Sequence, residues 1–187
     1  MEPQIRYVRS ADGTKIATAS LGNGTPLVMI PATPGHIESY FSIPEVRATL
    51  DFFAERYRFV TYDPRGRGLS DRDVRDWSLD ARVADLRAVF DGLSLPPSYL
   101  LGRAFGSIVG IAFLAQHPQL VMRLGLYAAV ARGSDVHYED ELLIPDTLRE
   151  RNWPLYCRFL KSSSRTPSAR LPEPPPASRS RTAASRR

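Results

Sequence analysis

The chain is expected to be an α/β protein, a mostly parallel sheet with helices on both faces, and two observations carry that expectation. Two strand-like runs, 5–9 and 14–20, flank Ala11-Asp12-Gly13, and an Asp-Gly pair between alternating runs is a strong hairpin signal. After it, short apolar runs alternate with helix-periodic stretches, the pattern of parallel strands joined by right-handed crossovers.

Residues 27–30 (Leu-Val-Met-Ile) form a continuous apolar run, as a strand buried on both faces requires, and Pro31 and Pro34-Gly35 end it in a loop. A helix is expected from about Ser39 to Tyr57, with Val46, Leu50 and Phe53 at helical spacing. The run 58–62 is the next strand, ended by Asp63-Pro64. Ser78 reads as the N-cap of a second helix, in which Leu79, Val83, Leu86, Val89, Phe90 and Leu93 line one face. Asp80, Arg82, Asp85, Arg87 and Asp91 fall mainly off that face, as on a solvated surface. A short strand at 98–101, a nearly all-apolar helix at 105–116 and a strand at 122–130 complete the body. One amphipathic helix is expected at about 145–160.

Charge divides the chain. Of 187 residues, the last 26 hold six arginines and one acid, and the other 161 hold 19 basic and 19 acidic side chains. The net charge of +5 therefore belongs to the tail, 162–187, which also has seven Ser and five Pro and buries too little apolar surface to fold. A disordered tail behind a folded domain, 1–161, is the expected organisation. A nucleic-acid-binding domain carries its basic patch on the folded part, so nucleic acid is not an expected partner. No run approaches the roughly 18 apolar residues that span a bilayer, and no secretory leader is visible, which reads as a cytoplasmic protein without a membrane partner. Cys157 is the single cysteine, and His36, His117 and His137 do not fall at metal-ligand spacing, so neither a metal nor another cofactor is expected.

The sharpest local feature is Gly102-Arg103-Ala104-Phe105-Gly106 at a strand-to-helix junction. A nucleophile elbow, G-x-S-x-G, belongs at such a junction, and here its central residue is Ala104, with no atom able to attack a carbonyl. The same two glycines also fit a plain close-packed turn. Ser107 lies three residues further on and opens no second elbow.

Context adds to this. The stretch 62–71, Tyr-Asp-Pro-Arg-Gly-Arg-Gly-Leu-Ser-Asp, follows a buried strand and precedes a helix. Together with 31–35 and the Gly102–Gly106 turn it resembles the α/β-hydrolase family, whose members carry D-x-R-G-x-G-x-S at this point. Most similar are bacterial α/β-hydrolase domains found with adenylate-cyclase or transcription-regulator modules. The resemblance covers about 5–160 and rests on the ordered combination of segments. It implies that Ala104 stands at the nucleophile position, that the N–H of Phe105 is one oxyanion donor, and that Thr33 supplies the second.

The family's catalytic acid and histidine lie beyond its sixth and eighth strands, so the resemblance implies a sheet truncated after about the sixth strand. It also implies an uncovered strand edge at 124–130 through which copies could associate. The abrupt change near Lys161 fits a shifted reading frame as well. His137 matches no family histidine. His36 is a candidate substrate-binding residue at the pocket mouth, with helix capping as the alternative. His117 reads as a helix-end residue and Cys157 as core. Asp135 and Asp140 sit where some hydrolases place their acid, or on the surface. The functional expectation is a relative of ester- and amide-type hydrolases, acting on or binding a small molecule and catalytically defective. The alternatives are a non-catalytic ligand- or partner-binding domain of a signalling protein, or a gene fragment.

Overall fold

The computed structural model describes residues 2–31 and 36–129, all within one compact unit spanning Met1–Val136. The expectations at Thr33, Asp135, His137, Asp140, Cys157, the helix 145–160 and the tail fall outside the described residues.

Strands β1 (Gln4–Arg9) and β2 (Lys15–Leu21) form the expected hairpin. Its turn is closed by backbone bonds between Ser10 and Thr14 and from Gly13 to Ser10, and the Asp12 carboxylate accepts the Thr14 N–H at 3.0 Å. Strands β3 (Pro26–Ile30), β4 (Arg58–Tyr62), β5 (Ser98–Arg103) and β6 (Val121–Tyr127) follow. The sheet order is β1-β2-β4-β3-β5-β6. β2 pairs antiparallel with β4, and β4, β3, β5 and β6 are mutually parallel. This is the mostly parallel α/β sheet read from the sequence, with β3 at its centre and buried throughout.

The helices are α1 (Ile37–Ser42), α2 (Pro44–Ala54), α3 (Leu79–Gly92) and α4 (Phe105–Gln116). The single helix expected over 39–57 is two helices. Pro44 pushes the preceding residue away from helical backbone, so Ile43 is extended (φ −93°, ψ 115°) and Pro44 restarts the helix at its first position.

The period-2 alternation of the strands sorts the core onto two faces. Val28, Ile30, Val60, Tyr62 and Leu100 pack with Val83, Leu86, Phe90, Val109 and Phe113 of α3 and α4. Leu21, Leu27, Met29 and Phe59 pack with Tyr40, Leu50 and Ala54 of α1 and α2.

In α3 the sequence reading needs two corrections. Ser78 caps the helix as expected, accepting the Ala81 N–H at 3.2 Å. Leu79, however, the first residue of the helix, is 40% exposed. Asp85, read as solvated, is buried (1% exposed) against Arg65.

Arg65 is itself buried, and its guanidinium uses every donor it has. Nε and Nη2 bond the two Asp85 oxygens at 2.8 and 2.7 Å, and Nη2 also reaches Ser10 Oγ at 3.4 Å. Nη1 bonds Asp12 Oδ2 at 2.8 Å and the Asp76 carbonyl at 2.9 Å. A bidentate pair of this geometry, with the remaining N–H groups satisfied, is what makes a buried charge tolerable.

One pH effect follows. Hydrogen bonds from Thr14 first, and then Arg65, hold the Asp12 carboxyl down at about 2. In the unfolded chain it returns to about 4, so ionised Asp12 favours the fold above that pH and the benefit fades as pH falls toward 2. We expect Asp12→Asn to lower the urea midpoint at pH 7, and the gap to the unsubstituted protein to close between about pH 4 and 2. The side chain is 45% exposed, so added salt should narrow the gap at pH 7.

Candidate active site

The C-terminal ends of parallel strands form the edge at which open α/β sheets bind ligands. The turn between β5 and α4 lies there. Ala104 is held at φ 42°, ψ −119°, a positive-φ conformation that costs a non-glycine residue about 1–3 kcal/mol. Its surroundings fix it. The Ala104 N–H bonds the Tyr127 carbonyl at 3.0 Å, tying the turn to the end of β6. The Ala104 carbonyl accepts both the Ser107 N–H at 2.9 Å and the Ser107 hydroxyl. Ser107 is fully buried in that role, which excludes it as an exposed nucleophile in this conformation.

Close approach requires glycine at Gly106. A Cβ there would lie 2.5 Å from the Ile30 carbonyl oxygen and 2.9 Å from that of Pro31. The elbow is therefore seated directly against the end of β3 and Pro31. Phe105 opens α4, so its N–H has no intrahelical acceptor and stands at the positive end of the helix dipole.

His36 is the N-cap of α1. Its Nδ1 accepts the Ser39 N–H at 3.4 Å, and the Ser39 hydroxyl accepts the His36 N–H at 3.2 Å. Nδ1 acts as an acceptor in this cap. His117 caps the C-terminus of α4 with its ring 4.9 Å from that of Phe113, as the sequence indicated.

Asp63, which in the sequence reads as a strand-ending Asp-Pro, joins the start of α1 to the loop after β4. It is fully buried at the end of β4 and accepts the Ile37 N–H and the Leu69 N–H, each at 2.7 Å. One carboxylate thus clasps the start of α1 and the loop after β4. Gly68 (φ +50°) is needed beside it, since a Cβ would sit 2.0 Å from Asp63 Oδ2. Ser70 extends the clasp, donating to the Asp63 carbonyl at 2.7 Å and accepting the Ala17 N–H at 2.8 Å. Asp63, Arg65 and Ser70 of the 63–70 motif thus each have a bonding reason. Burial raises the Asp63 pKa, and the Leu69 and Ile37 N–H groups and His36 oppose it. Burial likewise pushes the Tyr40 hydroxyl up to about 12, with the Arg103 and Arg67 charges pulling the other way.

Among the described residues no group of three or more His, Cys, Asp or Glu could hold a metal ion, and no helix is long and apolar enough to cross a membrane.

The α/β hydrolase fold family matches residues 25–157, and the chain belongs to that family. Among similar proteins, epoxide hydrolase 1 of Caenorhabditis elegans is 35% identical over 80 residues, 42% of this chain and 20% of that protein. A putative carbamate hydrolase RutD of Agrobacterium fabrum is 28% identical over 113 residues, 60% of this chain and 41% of that protein. The chain thus spans from a fifth to about two-fifths of the length of these curated relatives. A solved hydrolase from Pseudomonas aeruginosa PA01 superposes with a TM-score of 0.69 at 20% identity, covering 87% of this chain and 68% of that one, a likeness of fold.

Proposed function

We propose that this α/β hydrolase carries Ala104 at its nucleophile position, so that the site can bind and polarise a small carbonyl-type ligand but does not attack it. The observation that carries the reading is the backbone of Ala104. A strained strand-to-helix turn is the device that lifts a serine above the sheet, and here the turn persists around a methyl group. Nothing in the side chain of alanine repays that strain locally.

Hydrolysis by this family's acyl-transfer route begins with attack by the elbow side chain. A methyl group has no lone pair to attack with, and removing the serine from a serine protease lowers turnover about 10⁶-fold. The remaining parts still have chemistry. The N–H of Phe105 at the start of α4, with Thr33 as the proposed second donor, would hydrogen-bond an oxygen of the ligand and stabilise negative charge on it. Oxyanion stabilisation and binding alone retain about 10³–10⁴ over water in that protease. His36 would border the ligand while its Nδ1 stays engaged in the α1 cap.

The same residue favours a second reading, a non-catalytic domain that binds a ligand or partner in a regulatory protein. The two part on one assay. With short-chain p-nitrophenyl esters, the defective-hydrolase reading expects residual hydrolysis that saturates with substrate and falls when Phe105→Pro deletes the N–H. The binding-domain reading expects no hydrolysis above the buffer rate but a rise in melting temperature with unreactive amide analogues. Efficient turnover by the unsubstituted chain would refute both.

A further inference from the structure

We infer that an ordered water molecule sits in the small cleft behind the elbow, bridging the hydroxyl of Tyr62 to the carboxylate of Asp85. This does not depend on the role proposed for Ala104. The cleft measures about 20 Å³ and is lined by Tyr62, Asp85, Pro31, Phe105, Gly106 and Val109 among others. That is room for one water and for little else, since a water needs roughly 10–15 Å³ of such space.

The polar groups around the space call for one. Tyr62 is the last residue of β4 and only 3% exposed, its ring packed in the core beneath α3 and α4. Among the described residues its hydroxyl has no hydrogen-bond partner. Buried hydroxyl groups are satisfied by protein or by ordered water in nearly all folded proteins. Asp85 faces the same cleft, and each of its oxygens takes one N–H from Arg65, which leaves a further lone pair on each. The charge of Asp85 acts on the Tyr62 hydroxyl, yet no direct bond joins the two. Tyr62 and Asp85 face one water-sized space, which Arg82 also lines, without touching each other, and a water there would bridge them. The Tyr62 O–H donates to the water oxygen, and the water donates one hydrogen to Asp85. Its second hydrogen is directed at the loop backbone at Pro31, which lines the cleft beside Phe105 and Gly106. The bridge would tie the end of β4 and the Arg65–Asp85 pair to the first turn of α4.

The sign of one substitution tests this. Tyr62→Phe keeps the ring and removes only the hydroxyl. If that hydroxyl holds a water, its loss strips the water of a partner, and the melting temperature should fall by roughly 2–8 °C. In a high-resolution crystal structure of the unsubstituted protein, a solvent peak should lie within hydrogen-bond distance of both Tyr62 Oη and an Asp85 oxygen. That peak should vanish or weaken in the variant. A melting temperature that is unchanged or higher in Tyr62→Phe would overturn the inference, because it marks a hydroxyl with no partner to lose. An empty cleft in well-ordered density would overturn it even if the variant melts lower.

Discussion

Arg65→Met is expected to lower the unfolding free energy by about 3–5 kcal/mol. The substitution strips buried Asp85 of the two charge-assisted bonds that its oxygens take from the Arg65 guanidinium. It also removes the link from the hairpin residue Asp12 and from the Asp76 carbonyl at the entry to α3. Lysine should rescue little, because one ammonium cannot reproduce the two parallel bonds to Asp85 or span the remaining acceptors. The double substitution Arg65→Met with Asp85→Leu should recover much of the loss, since a buried pair exchanged for apolar groups is often neutral. Urea midpoints of the four proteins check this. Equal losses in the single and double variants would mean that the arginine acts through packing rather than by neutralising Asp85.

The second large effect is expected at Asp63. Asp63→Ala orphans the buried Ile37 N–H, worth about 1–3 kcal/mol when left unpaired, and the part-buried Leu69 N–H, which is worth less. The expected total is about 2–5 kcal/mol. Asp63→Asn keeps the shape, but one side of its amide then presents N–H to N–H, so it should recover only part. The damage should also be local, because Asp63 ties the start of α1 to the loop after β4. Hydrogen exchange at Ile37 and Leu69 should accelerate more than exchange in the centre of β3. Uniform acceleration across the sheet would show that Asp63 supports the whole fold and not the crevice in particular.

These two residues also mark where sequence reasoning stopped. β2, β3 and β4 were legible because Gly, Pro or Asp stands at their ends and apolar residues fill them at period 2 or in continuous runs. β6, flanked by Leu120 and Ala128, ends at Tyr127 rather than at 130. The cap at Ser78 was legible because capping is a local bond. Asp85 was not, since a carboxylate on a helix reads as solvated unless its partner is known, and Arg65 lies 20 residues away in a loop. The break at Ile43–Pro44 was missed because apolar periodicity continues across it, although the proline itself carries the signal. The elbow was visible as two glycines around Ala104, but not the strain, which needs the contacts of Gly106 with β3 and of Ala104 with β6. The clasp of Asp63 was present only as a motif, and the bonds that give it meaning reach α1 and β2.

The central claim, that Ala104 stands where the family places its nucleophile, is tested most directly by supplying the missing atom. Ala104→Ser, incubated with excess p-nitrophenyl acetate and digested for mass spectrometry, should take up one acetyl group per chain, slowly, on the peptide containing position 104. The unsubstituted protein should take up none there. A serine at that turn would lie beside the Phe105 N–H, which stabilises the oxyanion formed during acylation. An Ala104→Ser variant that folds as the parent does yet stays unacetylated at position 104, or an unsubstituted chain acetylated elsewhere at the same rate, would contradict the account.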